Sequence, residues 1–374
     1  MSSIVISATG LYTPEKNISN EELVASYNQY VDQYNQENDA AIQEGQIEAL
    51  TGSSSAFIEK ASGIKSRFVL AKDNILDPTI MSPDFAPRGD HEMSLMCEMA
   101  VAASKNALVE AKLQAHEIDL VIVAASNMER AYPAIAVELQ SALGCSGYAF
   151  DMNVACSSAT FGIKTAYDAL QSSTNKKVLM VNPEICSGHL NFRNRDCHFI
   201  FGDVCTAVIL EKKETAVERN LTEVFEINEF KLITQYSNNI RNNFGFLNRN
   251  ADNPQDLLFK QEGRKVFKEV VPMVIKLISE TVENAGKTLA SIKTYWLHQA
   301  NINMNMMIAK KLIGQPPTAE QAPTVLDTYA NTSSAGSVIA FHLHKNEVKQ
   351  GEYGVLCSFG AGYSAGAVLL EKIS

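Results

Sequence analysis

No two cysteines in this chain form a C-x-x-C pair, and their total of seven is odd. A disulfide framework or a cysteine-rich zinc site needs more regular spacing, so the cysteines point to a reducing compartment and to no metal. Long apolar runs are also missing. Nothing approaches the roughly 18 residues that a membrane span requires. The opening stretch MSSIVISATGLYTP has no basic region, no long apolar core and no small-residue cleavage site, so no secretory leader is expected. Positive charge is scarce. The 32 Lys and Arg face 42 Asp and Glu, giving a net charge of -10, and nucleic acid is not expected as a partner. What these absences leave is a soluble, cytoplasmic protein without a membrane association. With 374 residues, 46% of them apolar, it can bury a large core in about two domains.

Short apolar runs alternate with helical patterns along the chain. Val121 to Ala125 and Lys177 to Val181 read as buried strands, and Glu98 to Lys112 and Ser158 to Gln171 as helices. This alternation predicts an α/β architecture with sheets buried between helices. Three pairs of segments recur in the same order. Ile118–Asn127 matches Ile292–Asn301, each followed by a helix that stops near Leu143-Gly144 or Ile313-Gly314. Cys156–Ala159 (CSSA) matches Thr332–Ala335 (TSSA), and Phe201–Lys212 matches Phe359–Lys372. Three ordered matches argue for a duplicated fold divided just after Lys213, with halves 1–213 and 214–374. Three stretches look inserted: Gln29–Ser55, Asp77–Asp90 and the asparagine-rich Tyr236–Gln255. Loops of this length are lids or surface decoration, and composition does not decide between them.

Cys156 stands where a strand-like stretch, Tyr148–Val154, gives way to a small-residue helix. A helix N-terminus favours thiolate over thiol, and a thiolate accepts acyl groups. On local sequence alone a buried structural cysteine fits at least as well. His298 lies at a strand end, where α/β sheets line their clefts. Asn331 precedes Thr332-Ser333-Ser334-Ala335 and reads equally as a helix cap. Gly360 and Gly362, in Phe359-Gly360-Ala361-Gly362, let a backbone N–H turn toward a ligand. With the N–H of Cys156, that donor can form an oxyanion hole. A dinucleotide fingerprint is excluded, because its glycines belong after the first strand.

In this order, Ala155-Cys156-Ser157-Ser158, His298-Gln299-Ala300-Asn301, Asn331-Thr332-Ser333 and the C-terminal FGAG resemble the β-ketoacyl-acyl-carrier-protein synthase III family. Phe57-Ile58 through Gly63-Ile64, Tyr132-Pro133, Ile200–Asp203 and Gly263–Lys268 extend the likeness over nearly the whole chain. The resemblance implies the duplicated thiolase fold, five layers of αβαβα in two pseudo-symmetric halves, and a homodimer. It implies a catalytic set of Cys156, His298 and Asn331, with Cys156 and Ala361 backbone N–H groups as the oxyanion hole. Acyl-coenzyme A and malonyl-acyl-carrier protein are the implied partners, as substrates, with no tightly bound cofactor. Cys156 takes the acyl group, malonyl loses carbon dioxide, and His298 with Asn331 holds the enolate oxygen.

Substrate contacts implied in the same way are Phe57, Tyr132, Arg195, Asn301 and Phe359. Lys268, Lys310 and Lys311 form the implied docking patch for an acidic carrier protein. Phe57 and Ala61 stand where the family has a tryptophan and an arginine for adenine, so the cation is missing there. Asn303 replaces a docking arginine. Tyr132 matches an aromatic that reaches the primer pocket across the dimer. The insertions resemble a longer subgroup that takes medium-chain primers and makes 3-ketodecanoyl-carrier protein. Three other readings compete. A thiolase would use Cys357 and a second histidine in place of Asn331, and a condensing relative of secondary metabolism would share the triad. A scaffold that has kept the fold would have lost it. His342, His344, Cys197, His198 and Cys205 fit no common metal spacing.

Overall fold

The protein is described from a computed structural model that covers residues 2–171, 174–245, 247 and 253–374. Nine strands form one mixed sheet: β1 (Ile4–Tyr12), β2 (Leu120–Ala124), β3 (Tyr148–Met152), β4 (Lys177–Ile185), β5 (Asp203–Lys212), β6 (Phe225–Thr234), β7 (Ile292–Leu297), β8 (Tyr353–Phe359) and β9 (Ser364–Lys372). Their spatial order is β7-β8-β9-β6-β1-β5-β4-β2-β3. On one side β1 pairs antiparallel with β5, β5 antiparallel with β4, and β4 parallel with β2. On the other β6 pairs antiparallel with β9, β9 antiparallel with β8, and β8 parallel with β7. The two sides join where Val5 faces Glu226 and Ile6 faces Phe225.

The main helices are α1 (Asn20–Glu37), α2 (Ser55–Ser62), α3 (Leu95–Ala111), α4 (Ile135–Leu143), α5 (Ser158–Gln171), α6 (Gly263–Asn284), α7 (Ile302–Ile313) and α8 (Gly336–His344). Strand periodicity assigns them to layers. Ile122 and Ala124 of β2 point to one face and join Ile163 of α5, Phe341 of α8 and Trp296 of β7 in the central core. Val121 and Val123 point to the other face, against α3 and α4. Tyr295, Val355 and Leu369 pack likewise on α6 and α7. The result is five layers, α3/α4, half-sheet, α5/α8, half-sheet, α6/α7. Both faces of each half-sheet are covered, which is why their strands read as continuous apolar runs. The expected helix stops fall at Gly144 and Gly314, both with left-handed φ (75° and 84°). No helix among the described residues is long and apolar enough to cross a membrane.

The first insertion begins inside α1, which starts at a capping box of Ser19 and Glu22. The chain then doubles back. Asn28 accepts from the Ser53 N–H at 2.8 Å and donates to its carbonyl at 3.1 Å. Asn35, two turns on, does the same to Leu50 at 2.8 and 3.0 Å. The second insertion is a loop in which Arg88 forks onto Glu98. The third carries Ile240–Arg241, which pairs with Lys260–Gln261. Within it, positions 246 and 248–252 lie outside the described residues.

Candidate active site

Cys156, His298 and Asn331 line one cavity of 220 Å³ together with Phe57, Asn301, Phe359 and Gly360. Cys156 sits in the turn Ala155–Ser157 that leads from β3 into α5. The preceding Ala155 takes a left-handed φ of 48°. The Ser158 hydroxyl holds this turn by accepting the Val154 N–H at 2.9 Å. The Ser333 hydroxyl donates to the Cys156 Sγ at 3.3 Å.

Burial pushes the Cys156 thiol up to about 11. The Ser333 hydroxyl pulls it back, the Glu184 carboxyl pushes it further up, and the backbone N–H groups of Ala361 and Cys156 pull it down. Desolvation thus favours the thiol and works against the thiolate that a helix end favours. The same N–H groups that reach the sulfur are the expected oxyanion donors. Gly360 makes their approach possible, since a Cβ there would lie 2.5 Å from the Cys156 Cβ and 2.9 Å from its Sγ.

His298 follows β7 and ties in through its own N–H to the Cys357 carbonyl at 2.8 Å. Its ring stands edge-on to Phe359 with centroids 5.2 Å apart. Burial pushes the imidazole down to about 4, with the Ser333 backbone pulling the other way. The ring is neutral at pH 7, one nitrogen carrying a proton and the other a lone pair. Asn331 is clamped through its backbone. Its N–H donates to the Ile200 carbonyl at 2.9 Å, and its carbonyl accepts the Gly202 N–H at 3.1 Å. Its side-chain oxygen takes the Ser333 N–H at 2.9 Å, which leaves the NH2 end as a donor for the cavity.

The other expected residues fall in several places. Asn301 lines the cavity, but both ends of its amide are occupied. It caps α7 by accepting the Asn303 N–H at 2.9 Å and donates to the Ala61 carbonyl at 2.7 Å. The Arg195 guanidinium lies 4.0 Å from the centre of the Phe57 ring, and its Nε donates to the Gly52 carbonyl of the first insertion at 2.8 Å. Arg195 does not itself line the cavity. Tyr132 is 85% exposed and stands away from it. Lys268, Lys310 and Lys311 are exposed on α6 and α7, the helices whose Gly263, Val266 and Met304 wall the cavity. Cys357 points into the outer core beside Val355 and Tyr295, so the second cysteine of a thiolase is not at the site. His342 bonds Thr9 at 2.7 Å, and His344 bonds Glu347 at 2.8 Å. No metal-binding cluster occurs among the described residues.

Two residues that sequence reasoning missed complete the site. Ser333 contacts Cys156, His298 and Asn331 at once. Glu184, near the end of β4, is buried with no cation beside it among the described residues. It accepts the Ser126 N–H at 2.9 Å and hydroxyl at 2.5 Å, the Ser334 N–H at 3.2 Å, and the Ser334 hydroxyl. Burial pushes its carboxyl up to about 7. An acid inside the apolar run KVLMVNPEI was the available signal.

Two family models match this chain. One, described as 3-oxoacyl-[acyl-carrier-protein (ACP)] synthase III, covers residues 150–226. The other, described as its C terminal, covers residues 282–372. A beta-ketodecanoyl-[acyl-carrier-protein] synthase of Pseudomonas aeruginosa is 58% identical over 93% of this chain and 99% of its own length. A beta-ketoacyl-[acyl-carrier-protein] synthase III of Methylococcus capsulatus is 31% identical over 73% of this chain and 83% of its own. The crystal structure of 3-oxoacyl-[acyl-carrier-protein] synthase III from Aquifex aeolicus superposes with a TM-score of 0.76 at 25% identity, covering 98% of this chain and 99% of that one. Likeness of this extent, on a thiolase fold, makes the assignment plain: the chain belongs to the 3-oxoacyl-[acyl-carrier-protein] synthase III family of acyl-condensing transferases.

Proposed function

We propose that this chain condenses a medium-chain acyl primer, delivered as its coenzyme A thioester, with malonyl-acyl-carrier protein. The products are a 3-ketoacyl-carrier protein, carbon dioxide and coenzyme A. One observation carries the reading: Cys156, His298, Asn331 and two backbone donors converge on a cavity in a chain 58% identical to a beta-ketodecanoyl synthase.

The Cys156 sulfur attacks the primer carbonyl, and the N–H groups of Cys156 and Ala361 hold the oxyanion, each worth about 10²–10³ in rate. The thiol proton leaves on the departing coenzyme A sulfur, and His298 stays neutral with its N–H toward the cavity. Malonyl-carrier protein then enters. Its carboxylate carbon leaves as carbon dioxide, and the electron pair stays behind as an enolate. The N–H of neutral His298 and the NH2 of Asn331 hold the enolate oxygen. The new carbanion displaces Cys156 from the acyl group, and the sulfur regains a proton from solvent. A neutral imidazole suits the second half-reaction, since its N–H donates to the enolate oxygen without protonating the carbanion.

Lys268, Lys310 and Lys311 are read as the docking patch for the carrier protein, and Phe57 with Arg195 as the face met by the nucleotide. Residues 1–213 and 214–374 are read as two copies of one unit, a division supported by the matching strand order on either side of β1 and β6. The open outer edge of β3 and the exposed Tyr132 support a homodimer.

Intact mass after mixing the protein with acetyl- to dodecanoyl-coenzyme A tests the reading. A single acyl adduct that peaks at a medium chain, is absent from Cys156→Ala, and is consumed by malonyl-carrier protein to give the 3-keto product is expected. An adduct formed only with acetyl-coenzyme A would overturn the chain length. An adduct retained by Cys156→Ala would overturn the nucleophile.

A further inference from the structure

The cavity over Cys156 measures 220 Å³, below the roughly 300–1,000 Å³ of an ordinary small-molecule pocket. It must take both the arm that delivers the primer and the primer itself. A second cavity of 640 Å³ lies behind it, between the second insertion, the chain after β2 and the turn after β4. The two share a wall one side chain thick. Phe201 and Phe259 face the first cavity, and His189 faces the second. The His189 ring packs on Phe201 at 5.3 Å and on Phe259 at 6.5 Å, while Phe201 and Phe259 meet edge-to-face at 4.7 Å. The Phe259 N–H fastens the wall by donating to the His189 carbonyl at 2.9 Å.

Both ring nitrogens of His189 are buried, and among the described residues their one polar contact is to the residue's own backbone. Burial pushes the imidazole down to about 4, so it is an uncharged ring at neutral pH. Among the described residues the ring holds no other residue through a hydrogen bond, so it can turn aside from its two aromatic neighbours at little polar cost. The chamber beyond suits hydrocarbon. Phe85 and Pro87 come from the second insertion, Phe244 from the third, and Met96 and Met128 from the framework. Its cations are already matched, Arg88 by Glu98 and Arg130 by Glu138. An anionic ligand would find no unpaired cation there, and Asp90, Glu92 and Glu129 at the same wall would repel it.

We infer that the second cavity receives the methyl end of the primer's acyl chain and that His189 is the partition the chain must pass to enter it. The inference rests on the medium-chain reading above and assigns two of the insertions to chain length. A chain held on the Cys156 sulfur runs along Phe201, displaces the His189 ring, and ends among Phe85, Phe244 and the methionines.

Two opposite variants test it. Gly188 lies in the wall of the second cavity, and a Cβ there meets Phe85 and Ile185 only at 3.6 and 3.9 Å. Gly188→Leu therefore adds bulk to the chamber, whereas His189→Ala opens the partition. Acylation is read by intact mass with butyryl-, hexanoyl-, octanoyl- and decanoyl-coenzyme A in competition, with thermal melting confirming that each variant is folded. Gly188→Leu is expected to lower the octanoyl-to-butyryl ratio by about tenfold or more, the scale of a lost fit in an apolar pocket. His189→Ala is expected to move the optimum to longer chains. If the parent prefers a medium chain and neither folded variant shifts that preference, the tail site is refuted while the function stands. If the parent takes no chain beyond acetyl, both fall together.

Discussion

Cys156 and Glu184 carry the main electrostatic tension at the site. The carboxyl is pushed up to about 7, so it ionises as pH rises through neutrality. Once ionised it opposes the Cys156 thiolate. The groups facing the sulfur are the Ser333 hydroxyl, the two backbone N–H donors and His298, which is neutral above about pH 4. Cys186 also faces Glu184, at 3.7 Å. Replacing Glu184 by Gln removes the charge at nearly constant size. The iodoacetamide rate profile of Cys156 should then rise at lower pH than in the parent. Cys145, half-buried with its thiol pushed up to about 11 by burial, serves as the internal reference. A midpoint that does not move relative to Cys145 would leave Glu184 only the task of holding Ser126 and Ser334. At this scale the residues that meet at the cavity were readable where they end strands or open helices, as Cys156, His298 and Asn331 do. Ser333 and Glu184 were not, because their importance lies in contacts between distant parts of the chain. Asn301 was read as a substrate contact, but its amide is consumed in capping α7, and no rule of spacing distinguishes those uses.

Helices and strands were legible wherever one face or both are buried. The expected helix from 98 to 112 runs Leu95–Ala111, because the Ser94 hydroxyl accepts the Cys97 N–H and starts it one turn earlier. The insertions were opaque, since polar composition does not say what a side chain will meet. In the first, Asn28 and Asn35 each grip the N–H and carbonyl of one residue of the returning segment, whose Gly52 carbonyl holds Arg195 against Phe57. Changing both asparagines to Ala leaves those peptides without partners, at a cost of about 1–3 kcal/mol each. Limited proteolysis between Glu44 and Ser54 should accelerate by about tenfold or more, with little change in the melting of the core. A double variant as resistant as the parent would mean that packing of Leu50, not the paired amides, holds the segment.

At the scale of the whole molecule, the repeated segments made a duplicated architecture readable, and the strand order alike on both sides of β1 and β6 agrees with them. The join between the sides was not readable, because it rests on two residue pairs with no pattern of their own. Nor could the sequence tell which edge stays open. The Tyr148 N–H and the Met152 carbonyl are turned inward toward the chain around β2. With a period of two, Ala149 turns its N–H outward. Ala149→Pro removes that donor and spares the inner ladder. If the outer edge is the dimer seam, light scattering should fall from about twice the 40.9 kDa chain mass toward a single chain. A parent that is already a single chain would sink the dimer. The placement of Ala361 has a consequence for how the protein is made. Cys156 leaves the ribosome long before the Ser333 hydroxyl and the Ala361 N–H that bond its sulfur. A half-finished chain therefore carries Cys156 without the groups that bond its sulfur, which arrive only with Ser333 and the turn between β8 and β9.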